Sequence, residues 1–161
     1  MSEVENPTEG KRAPAFHLAT DSGEKIRLSE LKGAPVVLYF YPKDNTPGCT
    51  TEAQDFRDLH KKFKNLGVHV LGVSPDSVES HEKFVNKQSL NFTLLSDPER
   101  TAIEKYGLWV KKKLYGKEFM GVQRATFLID ETGKIARAWP KVKVKGHAAE
   151  VLEAAKELIK G

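Results

Sequence analysis

Cysteine is the scarcest residue in this 161-residue sequence, and Cys49 is the only one. A single cysteine cannot form a disulfide within the chain and leaves no Cys-x-x-Cys pair, so exchange between two thiols of the same chain is disfavoured. The five histidines show no spacing typical of metal ligands, which argues against a zinc site. The thiol is therefore either inert or reactive toward another molecule.

Long apolar runs and targeting segments are also missing. The longest apolar run, Val36 to Phe40, is far too short to span a bilayer. Residues 1–16 lack the apolar core of a secretory signal and carry acidic residues that a transit peptide avoids. There is also no glycine-rich nucleotide loop. We therefore expect no membrane span, a cytoplasmic location and no cofactor.

The net charge of +4 raises the question of nucleic-acid binding, because lysines cluster at residues 111–113 and at Lys141, Lys143 and Lys145. Asp and Glu are interspersed elsewhere, and no nucleic-acid-binding motif accompanies the lysines. Solvated loops and strand edges are therefore favoured over a nucleic-acid partner.

The length suits one domain, which we predict over residues 11–161 after a disordered tail at residues 1–10. Apolar periodicity and turn residues predict a series of elements. In chain order these are a hairpin around Asp21–Gly23, a buried strand at Val36–Phe40, a helix from Thr51 to Gly67, a strand at Val68–Val73, a helix over 77–88 capped by Asp76 with Glu79 as the returning acid, a strand at Phe92–Leu95, a short helix opened by Asp97, a loop over Leu108–Gly121, a hairpin of Thr126–Ile129 with Ile135–Trp139, and an amphipathic C-terminal helix. This order predicts an α/β protein with a central mixed β-sheet flanked by helices and an N-terminal β-hairpin, which a thioredoxin-like fold satisfies.

Cys49 lies where the predicted helix begins after the apolar strand Val36–Phe40, directly after Pro47 and Gly48. A thiol in the first turn of a helix meets unpaired N–H groups and the positive end of the helix dipole, and both favour the thiolate. A lone cysteine is often a small buried hydrophobe, but the polar surroundings favour a reactive thiol. The cations available to assist it are Lys43, Arg57 and Arg124.

Pro42, Thr46 and Cys49 form the pattern P-x-x-x-T-x-x-C, which resembles the motif of peroxiredoxins, thiol peroxidases on a thioredoxin fold. The resemblance to the Q-type subfamily, the bacterioferritin comigratory proteins, extends from about Gly10 to Ile159. Its further segments are Phe40–Pro42, Gly72–Asp76, Tyr115–Lys117 and Arg124–Asp130.

The resemblance implies a role for each motif residue. Cys49 is the peroxidatic nucleophile, Thr46 hydrogen-bonds the peroxide, Pro42 shields the sulfur, and Arg124 favours the thiolate and orients substrate. Each also has an ordinary structural reading: Pro42 as a strand end, Thr46 as a helix cap, and Arg124 as the partner of a surface acid. We further expect Glu52 to support the site by bonding Arg57 or a backbone amide, with Lys43 as an alternative cation.

The sequence departs from the family at Gln54, where many Q-type members carry a resolving cysteine. By that resemblance the sulfenic acid on Cys49 is reduced by an external thiol, such as glutathione with glutaredoxin, thioredoxin or a small thiol. The implied activity is reduction of hydrogen peroxide and organic hydroperoxides by a monomer. The alternative is a redox sensor or interaction protein that forms mixed disulfides through Cys49. We also expect Gln54 to complete a capping box with Thr51 and the helix to unwind less during turnover.

Overall fold

The computed structural model describes residues 4–161, which form a mixed sheet packed between helices. Its elements, in chain order, are β1 His17–Thr20, β2 Lys25–Arg27, a 3-10 turn Leu28–Leu31, β3 Val36–Phe40, α1 Pro47–Asn65, β4 His69–Ser74, α2 Val78–Gln88, β5 Thr93–Ser96, α3 Thr101–Lys105, β6 Trp109–Leu114, β7 Lys117–Val122, β8 Ala125–Ile129, β9 Ile135–Trp139 and α4 His147–Lys160. Within the described residues no helix is both long and apolar enough to cross a bilayer.

The main sheet has seven strands in the order β2-β1-β5-β4-β3-β8-β9. Strands β3, β4 and β5 run parallel, whereas β8 lies antiparallel beside β3 and β9 antiparallel beside β8. Antiparallel β1 and β2 form the N-terminal hairpin and join the sheet through β5. The mixed sheet, its N-terminal hairpin and the β8–β9 hairpin confirm the predictions from the sequence.

Strand β3 lies at the centre of the molecule and is buried on both faces. Leu38 and Phe40 pack into the core that includes α3, whereas Val37 and Tyr39 pack into the core beneath α1 and α4. Every residue of the strand is buried. This two-sided burial explains the unbroken apolar run, because successive side chains point to opposite faces.

Close packing across the sheet depends on Gly72 of β4, which pairs with Tyr39 of β3. A Cβ atom at Gly72 would lie 2.8 Å from Cζ of Tyr39 and 2.9 Å from a methyl carbon of Leu94. The Tyr39 ring stacks in turn on Phe56 of α1, with 4.7 Å between centroids. The missing side chain thus lets Tyr39 lie against the sheet and support the helix that carries Cys49.

Residues 108–121 were predicted as a loop, and this prediction is wrong. Strands β6 and β7 form a separate antiparallel hairpin in register from Trp109 with Val122 to Leu114 with Lys117. Tyr115 and Gly116 make its two-residue turn, and both have positive φ, 52° and 78°. Asn-Gly or Asp-Gly is the usual sequence of such a turn, so the Tyr-Gly sequence found here gave no hairpin signal.

The start of α1 differs from the periodicity that begins at Thr51. The helix begins at Pro47 with Thr46 at the N-cap position, and Thr51 Oγ1 donates to Pro47 O at 3.1 Å. The expected capping box of Thr51 and Gln54 is wrong, because Thr51 lies inside the helix and Gln54 Nε2 donates to Gln88 Oε1 at 2.9 Å. The placement of Cys49 in the first turn, directly after Pro47 and Gly48, is confirmed.

The cap of α2 is Ser77, not Asp76 as predicted. Ser77 Oγ accepts a hydrogen bond from Ser80 N at 3.1 Å. Asp76 Oδ2 instead accepts from Ser74 Oγ at 2.6 Å and from Asp44 N at 2.8 Å. An Asp next to a Ser offers two candidate caps, and the tertiary contact to Asp44 decides between them.

The predicted N-terminal tail covers residues 1–10, of which 1–3 lie outside the described residues. Asn6 Nδ2 donates to Tyr106 O at 2.9 Å and to Gly107 O at 3.2 Å. Gly10 N donates to Ile135 O at 2.9 Å. The segment 4–10 therefore lies against α3 and β9.

Candidate active site

Cys49 is the third residue of α1, the helix that follows β3 along the chain. Thr50 N donates to Thr46 O at 2.8 Å, the first turn of the helix. The N–H groups ahead of it have no acceptor within the helix, so the helix presents its positive end to the sulfur. Cys49 is only 2% exposed, which limits access to small reagents or to partners that reshape the surface.

Arg124 places a guanidinium beside the thiol of Cys49. It lies immediately before β8, beside β3, and its Nη2 donates to Cys49 Sγ at 3.3 Å. A Cβ atom at Gly48 would lie 3.2 Å from the same Nη2, so glycine there leaves room for the guanidinium. A cation at this distance favours thiolate over thiol.

Glu52 holds the other side of the same guanidinium. Arg124 Nη1 donates to Glu52 Oε1 at 2.6 Å, and Glu52 is 1% exposed. The expected bond to Arg57 is wrong, because Arg57 donates to Asp58 at 3.0 Å and to Gln88 O at 2.8 Å. The prediction failed because Arg124 is 72 residues away in sequence.

The environment of Glu52 disfavours its charge. Burial raises the pKa of Glu52 to about 7 against the opposing charge and hydrogen bond of Arg124, and Asp55 adds to the rise. In the described part of the chain Glu52 Oε2 is buried without a hydrogen-bond partner, which adds to the cost of ionisation. Below about pH 7 Glu52 therefore neutralises less of the guanidinium charge of Arg124.

Thr46 and Pro42 lie in the loop between β3 and α1. Thr46 Oγ1 donates its proton to Lys43 O at 2.8 Å, so the oxygen is left to accept a hydrogen bond from an incoming O–H group. Pro42 is half-buried at the end of β3. Lys43 is exposed, and its contribution to this loop is its carbonyl oxygen.

Sequence reasoning missed a second cation, Lys112 of β6. Burial lowers the pKa of Lys112, the positive charge of Arg124 lowers it further, and Cys49 opposes both. These influences place the ammonium in the electrostatic neighbourhood of Arg124 and Cys49. The sequence shows only a run of three lysines, but neighbours in a strand face opposite sides, so Lys112 differs from Lys111 and Lys113 once the hairpin is known.

Comparisons with known proteins agree with this arrangement. Residues 10–138 match the AhpC/TSA family. The chain is 55% identical to the putative peroxiredoxin bcp of Coxiella burnetii, covering 89% of this chain and 95% of that protein, and 52% identical to peroxiredoxin Bcp of Bacillus subtilis, covering 92% and 95%. The bacterioferritin comigratory protein of Xanthomonas campestris superposes with a TM-score of 0.86 at 40% identity, covering 99% of both chains. The thioredoxin-like fold predicted from the sequence is thus confirmed.

Proposed function

This chain belongs to the AhpC/TSA family and is a thiol-dependent peroxidase of the peroxiredoxin class, and on that premise we propose that it reduces hydrogen peroxide and organic hydroperoxides through Cys49. The observation that carries the proposal is the 3.3 Å contact from Arg124 Nη2 to Cys49 Sγ at the start of α1. It joins a nucleophile, its cation and a helix N-terminus at one point.

In the first step the Cys49 thiolate attacks the nearer oxygen of the hydroperoxide. The S–O bond forms as the O–O bond breaks, sulfur is oxidised to sulfenic acid, and the leaving oxygen takes a proton to become water or an alcohol. Thr46 Oγ1 accepts the hydrogen bond of the substrate O–H, while Arg124 and the first N–H groups of α1 stabilise the developing negative charge. Pro42 limits the access of water to the sulfur.

In the second step an external thiol attacks the sulfenic sulfur. Water leaves, a mixed disulfide forms, and a second external thiol releases Cys49 as the free thiol and leaves with the partner sulfur as a disulfide. The chain has no other cysteine, and Gln54 at the expected resolving position donates to Gln88. We assign the external thiol to glutathione with glutaredoxin or to thioredoxin.

Organic hydroperoxides are included because the Xanthomonas campestris protein was solved as trapped intermediate and ligand complexes bearing on its alkyl peroxide reduction activity. The groups proposed to act on the peroxide here, Thr46 Oγ1 and the Arg124 guanidinium, bind only its two oxygens. The remainder of the substrate is then free to vary, so hydrogen peroxide and cumene hydroperoxide should both react.

The test is peroxide consumption by the wild-type protein and Cys49→Ser, supplied separately with glutathione and glutaredoxin, with thioredoxin and its reductase, and with dithiothreitol. We expect many turnovers by wild type with at least one protein reductant and none by Cys49→Ser. The control Ser89→Cys in the Cys49→Ser background shows whether any exposed thiol suffices. Consumption of a single equivalent of peroxide with every reductant would instead support the sensor hypothesis.

A further inference from the structure

A second buried polar cluster lies beside the active-site loop and has no part in the reaction described above. At its centre is His81 of α2, which is 0% exposed. Its Nε2 lies 2.9 Å from Leu95 O and its Nδ1 lies 2.8 Å from Asp44 Oδ2. A carbonyl oxygen can only accept, so Nε2 carries a proton, and a second proton must lie between Nδ1 and the carboxylate.

Asp44 is the other member of the pair, and it lies in the middle of the loop that carries Pro42 and Thr46. Its Oδ1 accepts from Tyr41 Oη at 2.6 Å, and its Oδ2 accepts from Ser80 Oγ at 2.8 Å as well as facing His81. Burial acts to raise the pKa of Asp44, but the hydrogen bonds and charge of His81, with those from Tyr41 and Ser80, outweigh it and lower that pKa. The carboxylate of Asp44 is therefore charged.

The same loop is also held through its backbone. Asp44 N donates to Asp76 Oδ2 at 2.8 Å, and that oxygen accepts from Ser74 Oγ at 2.6 Å. Asp76 is the charged group that faces Asp44 from β4 and the turn after it. Asp44 is thus hydrogen-bonded to α2 through its side chain and to Asp76, just after β4, through its backbone N–H.

These ties fix the residues that meet the peroxide. Lys43, directly before Asp44, provides the carbonyl that accepts from Thr46 Oγ1, and Asn45, directly after it, has a φ of 64°. A shift of Asp44 would move that carbonyl and with it the Thr46 hydroxyl that it holds. A displacement of 1 Å at a reacting group can cost about a hundredfold in rate.

A metal site is a poorer reading of this cluster. One ligand atom from each of Asp44, Asp76 and His81 lies within 4.8 Å of the others. However, Tyr41 and Ser80 already donate to the carboxylate of Asp44, and His81 Nδ1 faces that carboxylate. The oxygen lone pairs that would bind a cation are therefore used by hydrogen bonds.

We propose that the buried Asp44–His81 pair is the positioning device of the peroxidatic loop. It holds Thr46 in the orientation that accepts the peroxide O–H, and it acts without touching substrate. The proposal rests on the proposed peroxidase function, because the loop matters only if Thr46 meets a peroxide. It makes His81 and Asp44 positioning residues in the reaction.

The test compares two substitutions that keep different halves of the imidazole. His81→Gln places an amide near the Nε2 position and loses the bond to Asp44, whereas His81→Asn places an amide N–H near the Nδ1 position and keeps it. We expect the rate of Cys49 oxidation by hydrogen peroxide to fall about tenfold or more in His81→Gln and several-fold less in His81→Asn. His60→Gln, a half-buried histidine of α1 outside the cluster, is the matched control.

A second readout separates positioning from general damage. Alkylation of Cys49 by iodoacetamide needs the thiolate but not Thr46, so its rate should stay within about twofold of wild type in His81→Gln. Peroxide rates equal to those of His60→Gln, or peroxide and alkylation rates that fall together, would overturn the proposal. If His81→Gln does not fold, Ser80→Ala removes one bond to Asp44 and should slow only the peroxide reaction; an unchanged peroxide rate would overturn the proposal.

Nitrogen NMR of the wild-type protein tests the pair independently of activity. With ¹⁵N-labelled histidine, Nε2 of His81 should carry a proton and Nδ1 should show a hydrogen bond to the carboxylate of Asp44. A bare Nε2, or an Nδ1 without that hydrogen bond, would overturn the pair. If wild type shows both features but no peroxide turnover, the proposed function fails while the assignment of the pair stands.

Discussion

At the scale of single residues, Glu52 and Cys49 both accept a hydrogen bond from the guanidinium of Arg124. Arg124 donates to Glu52 at 2.6 Å and to Cys49 at 3.3 Å, so the shorter hydrogen bond is the one to the carboxylate. Because burial raises the pKa of Glu52 to about 7, the charge of the Glu52 carboxylate beside Arg124 changes near neutral pH.

Arg124→Ala should slow oxidation of Cys49 by hydrogen peroxide. The variant loses a charge-assisted hydrogen bond of about 1.5–3 kcal/mol, which corresponds to about 10- to 100-fold in rate. Stopped-flow measurements at pH 7 check this, together with iodoacetamide alkylation, which should also slow because the thiolate fraction falls. Arg137→Ala removes an exposed charge and is the control. Unchanged rates in Arg124→Ala would mean that another cation, such as Lys112, supports the thiolate.

Glu52→Gln should change how stability depends on pH. The folded-state pKa of about 7 exceeds the ordinary value of 4.5, so the folded chain binds this proton more tightly than the unfolded chain. The resulting stabilisation is complete below about pH 4.5 and is lost as the pH rises through 7. Thermal unfolding between pH 5 and 8 should therefore show a decline in wild type that is shallower in Glu52→Gln. Glu153→Gln, exposed on α4, should keep the wild-type slope.

The sequence pointed to the candidate site residues that lie in one contiguous stretch and to Arg124 as one of three possible cations, and the family resemblance favoured Arg124. It could not reveal that Glu52 binds Arg124, or that Lys112 interacts electrostatically with Arg124 and Cys49, because these residues are far apart in sequence. The bond between His81 and Asp44 could not be predicted either. A buried histidine in an amphipathic helix has the same periodicity as an apolar residue.

At the scale of elements, α1 is positioned by packing against the Tyr39 ring and not by a side-chain cap at its N-terminus. No side-chain cap bond is found at Thr46, the described N-cap of α1, whereas Tyr39, Phe56 and the open space at Gly72 fix where the helix lies. The length and identity of the buried strands were readable from apolar runs. The β6–β7 hairpin was not, because its turn lacks the usual residues and its strands are rich in lysine.

Gly72→Ala should destabilise the fold. The new methyl group would meet the Tyr39 ring at 2.8 Å, and overpacking of this kind costs about 1–3 kcal/mol. Chemical denaturation should show a lower midpoint. Gly121→Ala is the matched control, since a Cβ there meets the flexible Lys112 side chain at 3.2 Å. Equal midpoints in the two variants would contradict the packing argument.

Helix α1 should keep its structure through the catalytic cycle. No second thiol on the helix has to move toward Cys49, and Gln54 and Arg57 bind Gln88 of α2. Hydrogen exchange of residues 49–60 should be similar in the thiol and sulfenic acid states. Strong deprotection after one equivalent of peroxide would show that oxidation alone unwinds the helix.

At the scale of the whole molecule, oxidation should leave the protein a single chain. Cys49 is 2% exposed, so two copies cannot bring their sulfurs together without rearrangement. Excess peroxide without reductant should therefore yield sulfinic acid, detected by mass spectrometry, with no disulfide-linked dimer. Sedimentation should give the mass of one chain before and after treatment. A disulfide dimer would show that the surface around Cys49 opens, and the exposed Tyr115 hairpin would be the first region to investigate.

The Gln54–Gln88 bond has a consequence for the rate law. Where a resolving cysteine is tethered to the same chain, disulfide formation is unimolecular and proceeds at a fixed pace. In the proposed mechanism that step is bimolecular, so at saturating peroxide the turnover number should be set by the concentration of reduced partner thiol. The fraction of molecules resting as sulfenic acid should then report the ratio of peroxide to reduced thiol. A glutamine in place of a second thiol would thus make the turnover rate depend on the supply of reductant.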